Sequence, residues 1–132
     1  MLRINRLTDY SFMLLAHLVE NEAVENHNAR DLSVELDIPL PTVSKVLKML
    51  TQGELLESYQ GSQGGYRLAR GADKISAAEI IEVMEGPVSL TACCVEDGCD
   101  RNCSVSKSWQ KVNGLVVGEL RKTSLIDLVA GV

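Results

Sequence analysis

The chain has 132 residues, the size of one ordinary domain, and a formal net charge of −5 at pH 7. Hydrophobic residues make up 45% and charged residues 23%, which excludes a disordered chain. The negative charge excludes binding of nucleic acid by bulk positive charge, but not a basic patch on one face. No apolar run is long enough to cross a bilayer, and we interpret the apolar stretch 11–19 as the first helix of a mature cytoplasmic protein.

Helical periods dominate the first part of the sequence. Residues 5–20 predict an amphipathic helix whose apolar side is Leu7, Tyr10, Met13, Leu14, His17 and Leu18, so we expect His17 to be a packed core residue. A short helix over 29–36 follows, with Asn28 as its N-cap. A third helix has Pro41 in its first turn and ends at Gly53. Its apolar face is Val43, Val46, Leu47 and Leu50.

The pattern changes after Gly53. Strand-like runs at 55–59 and 66–69 flank the letters QGSQGG and predict a β-hairpin with a long flexible tip. A capping box from Ser76 to Glu79 starts a further helix that runs to about residue 86. Residues 104–121 predict a long helix, and residues 124–129 a last short one. The long helix carries a single apolar seam, which consists of Val105, Trp109, Val112, Val116 and Leu120.

Two short helices, a tight turn and a Gly-rich hairpin occur in the order of a winged helix-turn-helix. The predicted fold is mainly α with a small β-hairpin wing. The second helix of such a motif enters the major groove by its N-terminal end, which places Thr42, Ser44 and Lys45 near base edges and Lys48 near phosphate. The wing would contact the neighbouring backbone or minor groove, and its candidate residues are Gln60, Ser62, Gln63, Tyr66 and Arg67.

The charge distribution favours a local DNA-binding face. Residues 38–74 hold five basic and three acidic side chains, a local net charge of +2, so the rest of the chain carries −7. A regulator with modest non-specific affinity for DNA is expected to have this distribution. The alternative is a small α+β domain with a solvated charged face.

All four cysteines lie close together, at Cys93, Cys94, Cys99 and Cys103. So tight a group cannot join distant segments, which favours a metal site over a disulfide framework. Thiolates suit iron–sulfur clusters and zinc alike, and free thiols in a cytosolic loop are the remaining alternative. Three thiolates leave the metal one ligand short. Because adjacent cysteines rarely point at one metal, a ligand from elsewhere, such as another subunit, is easier geometrically than Cys94.

Three segments resemble the Rrf2 family of bacterial regulators, which includes IscR and NsrR. They are LTDYSFMLLAHL, then IPLPTVSKVLKMLTQGELLESYQGSQGGYRLAR, and finally the cysteine loop with the long helix. The resemblance covers nearly the whole chain and is greatest to regulators of the SUF iron–sulfur assembly system. It implies a homodimer on double-stranded operator DNA. The implied organisation is a DNA-binding domain at 1–86, a cluster-binding loop at 87–103, and a dimerisation helix with a tail at 104–132.

The same resemblance implies an iron–sulfur cluster on Cys93, Cys99 and Cys103. The histidine that completes a 2Fe–2S site in IscR-like members is replaced by Ser106 here. An aspartate of the other subunit completes a 4Fe–4S site in NsrR-like members, and Asp9 matches its position. We therefore expect 4Fe–4S with Asp9 of the partner subunit as the fourth ligand, and 2Fe–2S is the alternative. Gln60 stands where members often carry Arg, so a weaker attraction to the minor groove is expected.

The resemblance thus implies an iron–sulfur-dependent transcriptional regulator of cluster-assembly genes. A nitric-oxide-sensing repressor on the same scaffold is one alternative. A small iron–sulfur redox protein without a DNA role is another, and a zinc-stabilised or metal-free regulator is the third. An enzyme is not expected, because the sequence has no recognisable catalytic set and the glycines at 61–65 lack the lysine of a phosphate-binding loop.

Overall fold

The computed structural model describes residues 3–23, 27–62, 64–95 and 103–131. Within these ranges the chain forms six α-helices, one antiparallel hairpin and two short 3-10 helices. The α-helices are α1 (Arg6–Glu20), α2 (Ala29–Leu36), α3 (Leu40–Gln52), α4 (Ala77–Glu85), α5 (Ser106–Lys122) and α6 (Leu125–Ala130). The strands are β1 (Leu56–Tyr59) and β2 (Gly65–Leu68), and the 3-10 helices are Ala72–Lys74 and Ala92–Cys94. No helix in these ranges is both long and apolar enough to cross a membrane.

The core is aliphatic and is centred on α3. The four apolar positions predicted for this helix are all fully buried, as Val43, Val46, Leu47 and Leu50. Side chains of α1, α2, α4 and β1 surround them. Leu125 of α6 is also fully buried, because α6 folds back against α1. The end of the chain therefore packs with its beginning, and the predicted domain boundaries stay a prediction.

Local capping signals set most helix ends. The Asn28 side chain accepts a hydrogen bond from the backbone N–H of Asp31 at 2.8 Å, so it is the expected N-cap of α2. Ser76 and Glu79 form the expected reciprocal capping box of α4. Helix α3 ends at Gly53, where an added Cβ would lie 2.5 Å from Val83 Cγ1. This glycine is thus needed for the close approach of α3 and α4.

The buried face of α1 differs from the predicted one. Thr8 and Ser11 are fully buried, whereas Met13 is 40% exposed. The two hydroxyls are satisfied locally, since Thr8 Oγ1 donates to Asn5 Oδ1 at 2.8 Å and Ser11 Oγ donates to the Thr8 carbonyl at 2.5 Å. Small side chains can enter a core when their hydroxyls are hydrogen-bonded. The buried face of α1 was therefore predicted wrongly from apolar residues alone.

His17 is not the packed core residue that its position predicts. Its side chain is 18% exposed, and Nε2 lies 2.5 Å from Glu35 Oε2 on α2. The rings of His17 and His27 meet edge to face with centroids 6.0 Å apart. This histidine therefore forms a polar contact between α1 and α2 at the edge of the core.

Helix α5 is the least enclosed long element. Over its whole described length no residue is buried, and its neighbours within the chain are α4 and the 3-10 helix Ala92–Cys94. The predicted seam faces outward, with Trp109, Val112 and Val116 between 36% and 42% exposed. The apolar surface of this helix is thus only partly covered by the described residues of its own chain.

Candidate nucleic-acid interface and cysteine segment

A short turn joins α2 to α3 and fixes the angle between them. Asp37 takes a left-handed conformation with φ of 53° at the end of α2. Ser33 Oγ donates to the Ile38 carbonyl at 2.6 Å, and the Ile38 N–H donates to the Ser33 carbonyl at 3.1 Å. The Ile38 side chain is buried in the core, so both core packing and the hydrogen bonds with Ser33 stabilise the turn. The pair α2 and α3 is a helix-turn-helix with a rigid corner.

The predicted recognition residues lie on the solvent side of α3. Ser44, Lys45 and Lys48 are exposed, and Thr42 is half-buried at the flank of the helix. Gln52, which the sequence argument did not select, lies one turn beyond Lys48 on the same outward ridge. Its position could have been predicted from the sequence, because Gln52 follows Lys48 by four residues, the spacing that places two side chains on one side of a helix.

The N-terminus of α3 is suited to an anionic partner. Its first turn contains no acidic residue, and no side chain caps it. The partial positive charge of the helix dipole is therefore not neutralised by the helix itself. Together with Lys45 and Lys48, this end of the helix attracts phosphate groups.

The hairpin is held against the helical core at its base. The backbone N–H of Tyr66 donates to the His27 carbonyl at 2.8 Å. Gly65 is buried, and a Cβ there would lie 2.7 Å from the His27 oxygen. The prediction of a flexible tip was therefore wrong at Gly65, which begins β2 and is required by close packing. The contact of His27 with the wing was not predicted, because nothing in the spacing of His27 indicates this role.

The predicted wing residues occupy different environments. Gln60 and Ser62 are exposed near the tip, and Gln63 lies outside the described residues. Tyr66 is half-buried and packs against the core, so its ring is less accessible than expected. The predicted set is thus only partly assembled on one outer surface.

Arg67 projects from β2, and its side chain contacts two other residues of the wing, Glu57 and Tyr59. Its Nε lies 3.0 Å from Glu57 Oε2 across the hairpin, and its guanidinium lies 5.4 Å from the centroid of the Tyr59 ring. An exposed ion pair of this kind contributes about 0–1 kcal/mol, so a phosphate group can replace Glu57 at little cost.

The residues before the cysteines are fastened to α5 by side-chain amides. Asn113 Oδ1 accepts from the Leu90 N–H at 2.8 Å, and Asn113 Nδ2 donates to the Val88 carbonyl at 3.1 Å. Gln110 Nε2 donates to the Cys93 carbonyl at 3.2 Å. Neither amide was identified from the sequence, because a polar residue on a helix gives no sign of which loop it binds.

Cys93 and Cys103, at the two ends of the cysteine segment (residues 93–103), both contact the first turn of α5. Cys93 Sγ lies 4.0 Å from the Ser106 carbonyl oxygen, whereas Cys103 makes its contact through the backbone, because its carbonyl accepts from the Ser106 N–H at 3.2 Å. Cys93 is half-buried and Cys103 exposed, while Cys99 lies outside the described residues. Thiols of this kind suit an iron–sulfur cluster or zinc.

Cys94 does not point away from Cys93. Thr91 Oγ1 lies 2.9 Å from Cys93 Sγ and 3.3 Å from Cys94 Sγ. Both sulfurs therefore contact the same oxygen, and the expectation that Cys94 is not a metal ligand stays a prediction.

Asp9, the predicted fourth ligand, lies on α1. It is exposed in the first turn of α1, and Met13 is exposed one turn further along the same outward face. Within the described ranges no set of three His, Cys, Asp or Glu side chains is close enough to hold a metal ion. The role of Asp9 as a ligand supplied to another subunit stays a prediction.

A helix-turn-helix with a cationic outer helix and a supported hairpin defines a DNA-binding protein of the winged-helix class. The chain belongs to the Rrf2 family, described as an iron-dependent transcriptional regulator, which it matches over residues 4–131. The expected family, the winged-helix fold and the function of a transcriptional regulator rather than an enzyme are thereby confirmed.

Relatives of known type agree with this assignment. IscR of Photorhabdus laumondii is 31% identical over 102 residues, which are 75% of this chain and 62% of that protein. The chain therefore spans less than two thirds of that relative's length. IscR of Cereibacter sphaeroides is 29% identical over 126 residues, covering 89% of this chain and 77% of the relative.

Two solved structures share the fold. CymR, the global cysteine regulator of B. subtilis, superposes with a TM-score of 0.81 at 25% identity, covering 100% of this chain and 99% of CymR. IscR of T. potens superposes with a TM-score of 0.77 at 24% identity, covering 98% and 88%. The arrangement of α1–α6 and the wing is thus an arrangement already observed in this family.

Proposed function

We propose that this chain is an iron–sulfur-dependent regulator that binds double-stranded operator DNA as a cytoplasmic homodimer and controls SUF iron–sulfur assembly genes. The observation that carries the proposal is the position of the cysteine segment. Cys93 contacts Ser106 through its sulfur and Cys103 contacts it through its backbone carbonyl, at the start of the helix whose apolar seam is partly exposed. Two of the proposed ligand residues therefore adjoin the helix that offers a surface for a second copy.

The homodimer is supported by the exposure of α5. The side chains of Val105, Trp109, Val112 and Val116 form one stripe along the helix, and each is at least 36% exposed. A continuous exposed stripe of this kind is typical of an interface. Burial of the stripe against the same stripe of a second copy would satisfy two-fold symmetry.

The proposed ligands are Cys93, Cys99 and Cys103 of one chain and Asp9 of the partner subunit. Support for Asp9 comes from its surroundings, because an exposed Met13 beside it gives α1 a partly apolar outer face that a second subunit can cover. A bound cluster of the 4Fe–4S type would supply a labile link between subunits, whereas a 2Fe–2S type would need a different fourth ligand.

The regulatory step is a change in the positions of the two recognition helices. Half-sites on DNA are about 34 Å apart for one helical turn, so only one arrangement of the two α3 helices fits an operator. The cluster would link α1 of one subunit to the cysteine segment of the other. This link changes the relative stability of two arrangements of the dimer only if its interaction free energy differs between them. Residues Ser44, Lys45 and Lys48 are the proposed readers of the operator.

The cluster is tested by visible absorption and Mössbauer spectra of protein isolated without oxygen. We expect iron and inorganic sulfide in the wild type and no cluster absorbance in Cys99→Ala. Asp9→Ala is expected to assemble a cluster that decays faster in air. Glu20→Ala changes an exposed carboxylate at the other end of α1 and serves as the control. An unchanged lifetime in Asp9→Ala would remove Asp9 from the site.

A second candidate is a regulator that works without a cluster. The likeness to CymR favours this candidate, since CymR is a cysteine regulator. Colourless protein from strictly anaerobic purification, with full operator binding, would support this candidate and contradict the first.

A further inference from the structure

We propose that Cys93 and Cys94 form a site of reversible two-electron oxidation, in which the cluster-free chain closes a disulfide between these neighbouring residues when it meets a peroxide. The ligand assignment above leaves Cys94 without a role. The geometry of the 3-10 helix Ala92–Cys94 gives it one.

The two sulfurs share one hydrogen-bonding partner in the reduced chain. Thr91 Oγ1 is 2.9 Å from Cys93 Sγ and 3.3 Å from Cys94 Sγ, so the two sulfurs are at most about 6 Å apart, the sum of these two distances. Thr91 immediately precedes the 3-10 helix and holds this arrangement from its first turn. Since successive side chains of a turn normally diverge, the shared hydroxyl is what aligns the pair.

The pair is also accessible to a small oxidant. Both cysteines are half-buried and line an open cleft of about 390 Å³, together with Gln110, Asn113 and Gly114 of α5. One thiol attacks a peroxide oxygen and the O–O bond breaks. The sulfur becomes a sulfenic acid, and the other peroxide oxygen leaves as water. The second thiol then displaces the hydroxyl as a second water and forms the S–S bond. Two thiol hydrogens and two electrons pass to the peroxide.

Such a disulfide is expected to be easily reduced. The Cα atoms of neighbouring residues are about 3.8 Å apart, below the range of about 4.4–6.8 Å that unstrained disulfides prefer. Strained disulfides have more oxidising potentials and are the labile, regulatory ones. The bond would therefore form under peroxide and be lost again when thiol reductants return.

Oxidation also changes the contact with α5. The Cys94 thiol lies 3.6 Å from the Trp109 carbonyl oxygen and the Cys93 thiol 4.0 Å from that of Ser106. Disulfide formation removes both S–H donors. Because Trp109 is the one tryptophan of the sequence, its fluorescence reports this change. If the proposed function holds, the same bond also withdraws Cys93 from the cluster, so the two states exclude each other.

The test uses the full chain, freed of metal, reduced, and then treated with hydrogen peroxide. We expect the loss of two hydrogen atoms by mass, fragmentation of the peptide that assigns this loss to Cys93 and Cys94, reversal by dithiothreitol, and a change in Trp109 fluorescence. Cys94→Ser should abolish this product, whereas Cys103→Ser should retain it. Thr91→Val should slow closure by about fivefold, the factor for one hydrogen bond of ordinary strength.

Three results would overturn the proposal: a map that joins Cys93 to Cys99 or Cys103, a disulfide between chains, or oxidation of single thiols to sulfinic acid. Circular dichroism of each variant shows whether it is folded. The experiment contains no iron, so its failure leaves the proposed cluster untouched. Conversely, a chain that never binds a cluster can still form this bond.

Discussion

Helices α3 and α5 are both amphipathic, but they are held in opposite ways. In α3, Val43, Val46, Leu47 and Leu50 are completely enclosed, whereas α5 is longer and buries no residue. The contacts of α5 with its own chain include amide hydrogen bonds from Asn113 and Gln110. An apolar stripe thus predicts that a helix will be covered, but not by which chain.

The comparison separates stability from assembly. The aliphatic contacts of α3 form within one chain and should govern unfolding. The seam of α5 is only partly covered by the described residues of the chain, so its side chains should govern the proposed association with a second copy. Substitutions in the two helices should therefore change different measurements.

The largest effect is expected for Leu47→Ala. This side chain is fully buried at the centre of the core, so its truncation should lower the free energy of unfolding by about 2–5 kcal/mol. Leu115→Ala, at a position 66% exposed on α5, is the matched control and should change it by less than about 0.5 kcal/mol. Urea unfolding monitored by circular dichroism measures both. Equal losses would contradict the contrast between the helices.

Val116→Glu should weaken association more than it changes the fold. A carboxylate at the middle of the seam is expected to raise the dissociation constant of the proposed dimer by roughly 30-fold, or about 2 kcal/mol. Lys111→Glu lies on another side of the same helix and is the control for added negative charge. Sedimentation equilibrium measures the constants. A dimer that tolerates Val116→Glu but not Lys111→Glu would place the interface elsewhere on α5.

Two glycine substitutions should have opposite signs. Gly65→Ala forces a Cβ to 2.7 Å from the His27 carbonyl, so we expect a loss of about 1–3 kcal/mol as the wing separates from its support. Gly118→Ala meets no neighbouring atom within 4 Å in α5 and should gain about 0.5–1 kcal/mol of helix stability. Thermal unfolding distinguishes them. A stabilising Gly65→Ala would mean that the wing is not held by this contact.

The smallest expected effect is that of Lys45→Ala on DNA binding. Loss of one positive charge from the DNA-facing side of α3 releases fewer counterions on binding and should reduce the slope of log K against log salt concentration by at most about 0.9. Lys107→Ala, at the start of α5, removes an equal charge away from α3 and should leave the slope unchanged. Fluorescence anisotropy with an operator fragment gives both slopes. If Lys45→Ala binds as the wild type does at low salt, α3 is not the recognition helix.

Local signals predicted much of the fold. The N-caps Asn28 and Ser76, the stop at Gly53 and the buried face of α3 depend on residues within a few positions of each other. Steric and hydrogen-bonding preferences of this range act before any tertiary contact forms. For the same reason the winged-helix order was readable from the sequence.

Contacts between distant segments were not predictable in this way. The burial of Thr8 depends on what packs over α1, and the support of the wing depends on His27 meeting β2. The amides of Asn113 and Gln110 bind residues 17 to 25 positions earlier in the chain. In each case the partner is selected by packing.

The sequence by itself determined the helices, their ends, the hairpin and the grouping of the cysteines, because caps, turns and apolar periods act over a few residues. The tertiary structure decided which faces of those helices are covered, where the wing is fastened and which amides of α5 hold residues 88–93. These depend on steric fit and on hydrogen bonds between segments far apart in the chain, and no local pattern specifies them.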